Sequence, residues 1–351
     1  VIMMPKLGPE RPAMFIVDGR EMKDNLLRER LILSNYDRRA LSSGGGSSYD
    51  YKFPRMSNHY FNATFIANES EIFYNAEIRK SGSPFTRDGG SSLAHGKWKL
   101  PGDRLFRERR RNVFDASGTS EGSGTPRFYD DRIARHFLYQ LGHPVNEMEY
   151  VHFAVNGDAF KLRENHEPIS NDFLNRNFEN GSEGTLLRID DEWRFTSDDG
   201  NARQSRNADW SYKSSDNPVQ YHSEWLMRSR EQDYDYSNFI EFVKAIGTRN
   251  FDEESISRMA DRDMLCINAA VRGYDADWDT ITLNRGKNAY FYRPKGGKWM
   301  LIHWDGDRVF GNAGETFLGG LSGIRTYFDK PYIRRHLNYY LTELLTKLTK
   351  D

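Results

Sequence analysis

The stretch that decides the reading is Tyr274–Gly311, YDADWDTITLNRGKNAYFYRPKGGKWMLIHWDGDRVFG. Asp275, Asp277 and Asp279 follow an apolar segment and precede the strand Ala289-Tyr290-Phe291-Tyr292. Asp305 and Asp307 directly follow a second strand, Trp299-Met300-Leu301-Ile302-His303-Trp304. Carboxylates at the ends of paired strands suit a divalent cation held against phosphate oxygens, so nucleotide chemistry is the leading expectation.

Phosphoryl transfer needs cations on the equatorial oxygens and a carboxylate near the acceptor hydroxyl. In this stretch Asp279 is the candidate base, Asn288 a candidate amide ligand, and Asp305 and Asp307 the candidate metal carboxylates. Acids between strands also serve as turn formers and N-caps. That is the reading given to Asp275 and Asp277.

Outward from this stretch, composition sets bounds. A chain of 351 residues fits two domains or one bilobal domain, and aromatic residues at 14% can supply a large core. The formal charge of -1, from 50 basic and 51 acidic residues, gives no global field toward nucleic acid or an acidic membrane. The single cysteine, Cys266, excludes an intramolecular disulfide and lies in an apolar run, so it reads as a buried structural thiol. No apolar run is long enough to span a bilayer and no signal-peptide pattern is present, so the chain is expected to be soluble as given. It opens at Val1, which is compatible with a removed targeting segment.

Other motifs are excluded or bland. His143, His152, His166 and His303 lack zinc-ligand spacing, and no nucleophile elbow accompanies a serine. Arg107–Arg111, RERRR, has no aromatic interleaving and reads as a solvated face rather than an RNA site. His303 is read as a packed strand histidine.

Periodicity places the elements. Met22–Leu33 is a helical candidate, followed by the Gly/Ser joint Leu41–Ser48. Alternation over Tyr51–Arg79 predicts a hairpin or meander, and Lys97-Trp98-Lys99 a short strand in which only one lysine is expected to face a given side. Arg132–Leu141 predicts a helix with Asp130 or Asp131 as N-cap and Gly142 past its end. Strands Glu149–Val155 and Ala159–Arg163, a helix at Asn171–Phe178 and a strand at Gly184–Ile189 come next. Residues 195–221 read as a polar loop or interlobe linker, and helices follow at Asn238–Ile246, Phe251–Arg272 and from Pro331 onward. No internal repeat is visible.

These motifs together resemble the CotH (spore coat protein H) kinase-like family. The resemblance rests on Trp278-Asp279, Lys287-Asn288 before an aromatic strand, Gly297-Lys298-Trp299 and Trp304-Asp305-Gly306-Asp307-Arg308-Val309-Phe310-Gly311. Upstream, Ile78-Arg79-Lys80-Ser81-Gly82-Ser83 stands at the family's Arg-Gly-Asn-Ser-like turn, Lys97-Trp98-Lys99 at its lysine strand, and Tyr129-Asp130-Asp131-Arg132 opens its helix. Glu167-Pro168-Ile169 matches its acidic segment, with Glu164 a competing match. The similarity runs from about residue 50 to 340. Gly306 departs from the family pattern, which has bulkier residues there, and so does the turn after Arg79.

The resemblance implies a kinase-like fold, ATP with Mg2+ or Mn2+, and an extracellular, cell-surface or spore-associated setting. It implies Lys97 or Lys99 and Arg79 at the phosphates, Glu167 near the adenine, and Asp279 as catalytic Asp. The expected architecture is a bilobal α+β protein: an extension over 1–49, a β-rich N-lobe over 50–194, a linker over 195–221 and a helical C-lobe over 222–351, with ATP in the cleft. The expected reaction is transfer of the ATP γ-phosphate to a protein Ser or Thr hydroxyl, with no nucleic-acid partner. Two competitors are an inactive kinase-like module for surface or coat assembly, and a carboxylate-pair glycoside hydrolase that needs neither ATP nor metal.

Overall fold

The computed structural model describes residues 24–42, 57–82, 93–117, 127–195, 202–248, 251–307, 309–311 and 318–348, preceded by two short strand pairs. These join Ile2–Met3 to Phe15–Ile16 and Lys6–Leu7 to Arg11–Pro12. The chain forms two compact units. One comprises Val1–Arg127, Glu147–Pro168 and Thr196–Asn201, the other Phe128–Asn146, Ile169–Phe195 and Ala202–Asp351. The fold is a mixed α and β one.

The first unit is a closed barrel built from β1 (Leu27–Ile32), β2 (Phe61–Ala67), β3 (Glu71–Lys80), β4 (Gly96–Lys99), β5 (Arg111–Asp115), β6 (Met148–Val155) and β7 (Lys161–His166). Its order is β6-β7-β5-β4-β3-β2-β1, and parallel pairing of β1 with β6 closes it, which leaves no edge strand to template another chain. Helix α1 (Asn35–Ser42) follows β1. The expected hairpin is present as β2 and β3, turning through Asn68 and Glu69 at positive φ. Alternation along β2 buries Phe61, Ala63 and Phe65 and exposes Asn62. The centre is aromatic: Trp98 stacks on Phe65 at 4.5 Å and Phe114 on Phe153 at 4.2 Å. Each such ring removed from water contributes roughly 1.5–3 kcal/mol.

Strand β1 overturns the helix expected at Met22–Leu33. The composition LRERLI favours helix locally, but β1 is hydrogen-bonded on both edges, to β2 and to β6, and these ladders outweigh propensity. Met22, the glycines of the joint after Leu41 and most of the Ser81–Gly96 stretch lie outside the described residues.

The second unit is built on a four-stranded antiparallel sheet. Its elements are α2 (Asp130–Gln140), α3 (Asn171–Asn177), β8 (Thr185–Ile189), β9 (Glu192–Phe195), β10 (Ala202–Arg206), β11 (Trp225–Met227), α4 (Ser237–Gly247), α5 (Glu253–Met259), α6 (Arg262–Tyr274), β12 (Ala289–Arg293), β13 (Met300–His303), α7 (Ile324–Phe328) and α8 (Pro331–Glu343). The sheet order is β11-β8-β12-β13. Leu187, Phe291 and Leu301 face the main helical core, while Leu186, Tyr292 and Ile302 pack with Phe173 and Leu174 of α3. Both faces are covered, which is why β12 and β13 read as unbroken apolar runs. Among the described residues no helix is long and apolar enough to cross a membrane.

Three expectations about the division of the chain are corrected. Residues 195–221 are not simply a linker: β10 pairs with β9, and Trp210 is buried edge-on against Phe242 and Tyr327. The aromatic rings carry the burial there, so a search for aliphatics missed it. Second, α2 and residues 169–195, expected with the β-rich lobe, belong to the second unit because their apolar faces pack into its cores. Third, β1 makes residues 27–32 part of the barrel rather than an extension.

Candidate functional site

Helix α6 positions the central loop. Asp261 caps it by accepting from Met264 N at 3.1 Å, and its last turn delivers Arg272 just before the acids. Asp275 Oδ1 accepts from Asp277 N at 3.2 Å, and Asp277 Oδ1 accepts from Asp279 N at 3.3 Å. The alternate acids therefore form successive side-chain-to-backbone turns, as expected of Asp275 and Asp277. They are also fully buried, which no turn requires.

Asp279 is buried at the end of that ladder. Its Oδ2 lies 2.8 Å from Lys287 Nζ and accepts from Asn288 Nδ2 at 3.3 Å, while its buried Oδ1 has no hydrogen-bond partner among the described residues. The carboxylate is thus anchored through one oxygen, while the other is buried and unpaired among the described residues.

Arg272, 1% exposed, uses its guanidinium as a hub. Its Nε is 2.8 Å from Asp277 Oδ2, Nη1 donates to His303 Nδ1 at 2.7 Å, and Nη2 donates to the carbonyls of Asn288 at 2.8 Å and Trp304 at 3.3 Å. Arginine can only donate, so His303 Nδ1 is an acceptor and Nε2 carries the proton. That proton goes to Asp131 Oδ1 at 2.7 Å. Asp131 Oδ1 also accepts from Gly306 N at 3.0 Å, and its Oδ2 accepts from Arg135 Nε at 3.0 Å and Nη2 at 2.7 Å. Arg135 in turn donates to the backbone and side chain of Asn146. Asp131 is thus not an N-cap: the residue before α2 is Tyr129, with no side-chain cap bond, and the Asp131 carboxylate serves the loop after β13 instead.

The electrostatics follow from burial. It lifts the Asp275 carboxyl well above the ordinary range, and the Asp277 charge beside it adds to the rise. Burial also raises Asp277, while Arg272 opposes that shift. His303 is driven down to about 3, first by burial and then by the Arg272 charge, so it is a neutral spacer. Burial alone lowers Lys287, but Asp279, with Asp305 and Asp191, holds it above its usual value.

Asp305 and Asp307 follow β13 and are partly buried. Asp305 adopts φ 59 and Asn288 φ 58, left-handed conformations that Asp and Asn tolerate better than other side chains. Asn288 turns its amide NH2 toward Asp279, leaving its carbonyl oxygen as the end able to hold a cation. Among the described residues no group of three or more His, Cys, Asp or Glu is placed to hold a metal by itself. The donor chemistry available, two carboxylates and an amide oxygen, fits a hard cation such as Mg2+, which takes one or two carboxylates and completes its shell with phosphates and water.

In the first unit, β3 and β4 gather the expected phosphate-side residues. Arg79 faces Lys97 across the ladder, and Glu77 faces Lys99. Lys97 and Lys99 share the face opposite the buried Trp98, which corrects the expectation that they diverge, because residues two apart on a strand point the same way. Lys99 Nζ is 2.6 Å from Glu77 Oε2 and 4.4 Å from the Tyr60 ring centre. Arg79 donates to Asn58 Oδ1 at 2.7 Å and lies 5.3 Å over the same ring. Glu167 is buried, and its Oε2 accepts from Glu147 N at 3.1 Å; Glu164 lies on β7, 3.7 Å from His166.

Asp131, Arg135, Arg272 and His303 were not legible in the sequence as parts of this arrangement. One signal was present: an arginine closing the apolar run MLCINAAV, with alternate acids beginning three residues later at Asp275. The Asp131–Arg135 pair has helical i, i+4 spacing, but its link to His303 spans 172 residues.

The model of the CotH kinase protein family matches residues 98–348. The chain belongs to the CotH kinase family. The match includes every acid of the central loop, Asn288, and both carboxylates after β13. A chain of the solved Shewanella oneidensis MR-1 toxin–antitoxin complex of HipA, HipB and its operator DNA is also similar, with 13% identity and a TM-score of 0.31. The similarity covers 95% of this chain and 66% of that one. No curated protein matches.

Proposed function

We propose that this CotH family member transfers the γ-phosphate of ATP to a protein Ser or Thr hydroxyl. The observation that carries the reading is Asp279, tied through Oδ2 to Lys287 and Asn288, with a buried Oδ1 left unpaired among the described residues. In this reading Asp279 accepts or orients the hydroxyl proton, and Lys287 holds the carboxylate in place through Oδ2. Asp305, Asp307 and Asn288 would hold Mg2+ or Mn2+. The ion, when bound, neutralises phosphate charge that builds during transfer. Arg79 and Lys97 or Lys99 would meet the phosphates, and Glu167 the adenine side.

The buried Asp131–His303–Arg272 chain favours this over an inactive module, since an assembly surface has no need to hold a catalytic loop this tightly. The test is thermal unfolding with and without ATP and Mg2+. Ligand at 100 times its dissociation constant adds about 2.7 kcal/mol, and Asp305→Ala should abolish the shift. Labelled phosphate transfer to a Ser-rich acceptor, lost in Asp279→Asn, separates an active kinase from an inactive one. A parent chain that shows no shift with ATP and Mg2+ sinks the reading.

A further inference from the structure

Asp131 stands far from the motif residues in sequence, yet one of its oxygens ends on the loop that carries them. Gly306 lies between Asp305 and Asp307, and its N–H donates to Asp131 Oδ1 at 3.0 Å. A Cβ at Gly306 would sit 2.6 Å from that oxygen and 3.2 Å from His303 Cε1, closer than real Cβ atoms approach an oxygen. Glycine at this position, where the family pattern is bulkier, is therefore matched to the carboxylate of Asp131.

Every acceptor of that carboxylate is committed. Oδ1 takes Gly306 N–H and His303 Nε2–H, and Oδ2 takes the Arg135 fork. His303 passes the contact to Arg272, which grips the carbonyls of both Asn288 and Trp304. Asp131 thus acts on the loop after β13 directly and on the Asp279–Asn288 loop through two buried side chains. Left-handed Asp305 and Asn288 are the residues at each end of the path, and both conformations need an external hold to persist.

We propose that Asp131 is a positioning residue, a buried clamp that fixes the Asp305–Asp307 loop against the Asp279–Asn288 loop. The metal-loop role rests on the phosphotransfer reading; the clamp itself rests only on the geometry. A residue that merely glued the fold would have no reason to bond the backbone between two candidate ligands or to require glycine there.

The test uses the full chain and the variants Gly306→Ala, Asp131→Asn and Gly306→Ala combined with Asp131→Ser. Amide exchange is followed at residues 304–307 without ligand, with helix Ser237–Gly247 as the internal reference. Mn2+ affinity is measured by electron paramagnetic resonance in the presence of ATP. Gly306→Ala should speed loop exchange at least tenfold while the reference helix is unchanged, and should weaken Mn2+ binding at least tenfold. Asp131→Asn, which keeps one acceptor oxygen, should lie between parent and Gly306→Ala. The double variant relieves the clash but removes the clamp, so its loop exchange should be at least as fast as in Gly306→Ala; exchange restored to the parental rate overturns the clamp. Loop exchange unchanged in folded Gly306→Ala, or accelerated equally in the reference helix, overturns the clamp. If the parent binds no Mn2+ with ATP, the phosphotransfer reading fails while the exchange result still decides the clamp.

Discussion

Lys287 Nζ lies 2.8 Å from Asp279 Oδ2, and both side chains are largely withdrawn from water. The pair puts a cation behind the candidate base and leaves its other, buried oxygen unpaired among the described residues. Lys287→Met should leave Asp279 with only Asn288 as partner. The expected result is a fall in phosphotransfer of roughly ten- to a hundredfold, smaller than the ~10²–10⁴-fold expected for Asp279→Asn if proton transfer is lost. Initial rates of label transfer check the order of the two variants; Lys287→Met with parental activity refutes the role.

Arg272 is the larger structural commitment. It lies against the Asp277 carboxylate and donates to His303 and two carbonyls from one buried guanidinium. Arg272→Met removes the charge opposite Asp277 and strands those acceptors, so urea unfolding should show a loss of about 3–5 kcal/mol. A loss under about 1 kcal/mol, the scale of an exposed pair, means the hub is not what holds the loop.

How much of this could be read in advance depends on the range of the signal. The hairpin β2–β3, helices α2, α4 and α8, and strands β12 and β13 carry their periodicity within a dozen residues, and each was legible. Leu27–Ile32 was not, because its helical composition is overruled by pairing with Val151–Val155, far along the chain. At the site, Asp279, Asn288, Asp305 and Asp307 are close in sequence and formed a visible pattern. Asp279 and Asn288 meet in the fold, and the charge of Asp305 reaches Lys287. What was hidden is the support: Asp131 looks like a helix-opening acid, and only the fold reveals that it faces His303 and Gly306. Gly306 itself looked like a departure from pattern until that carboxylate explained it.

Stability should depend on pH through the barrel. Glu29 on β1 is fully buried, accepts from Trp98 Nε1 at 3.1 Å and Asn165 Nδ2 at 2.8 Å, and is raised by burial to about 8 from 4.5. The folded chain therefore keeps a proton that the unfolded chain releases. Its contribution is complete below the unfolded value of 4.5 and is lost as pH climbs through about 8. The slope is up to ~1.4 kcal/mol per pH unit. Glu29→Gln, which cannot ionise, should flatten this part of the profile in urea unfolding between pH 5 and 8.5. An unchanged slope means other groups set it.

Gly286 offers a test of how the Lys287 loop is held. A Cβ there would lie 2.0 Å from Ala208 N and 2.4 Å from Ala208 O, backbone atoms that cannot swing aside. Ala208 is buried two residues before Trp210, whose N–H is bonded to Ser322 O, so the opposing wall is fixed. The glycine side must yield instead. That side is a tight turn in which Arg285 N donates to Thr280 O at 3.1 Å and Ile281 N to Lys287 O at 3.2 Å. Gly286→Ala should cost about 1–3 kcal/mol as an overpacked contact and should lower phosphotransfer by displacing Lys287 from Asp279. Gly320→Ala is the matched control in the same unit, since no described residue lies within 4 Å of its Cβ position; it should stay within about 0.5 kcal/mol of the parent. Equal melting temperatures for the two variants would show that the 280–287 turn adapts without cost, and that its contact with Ala208 does not position Lys287.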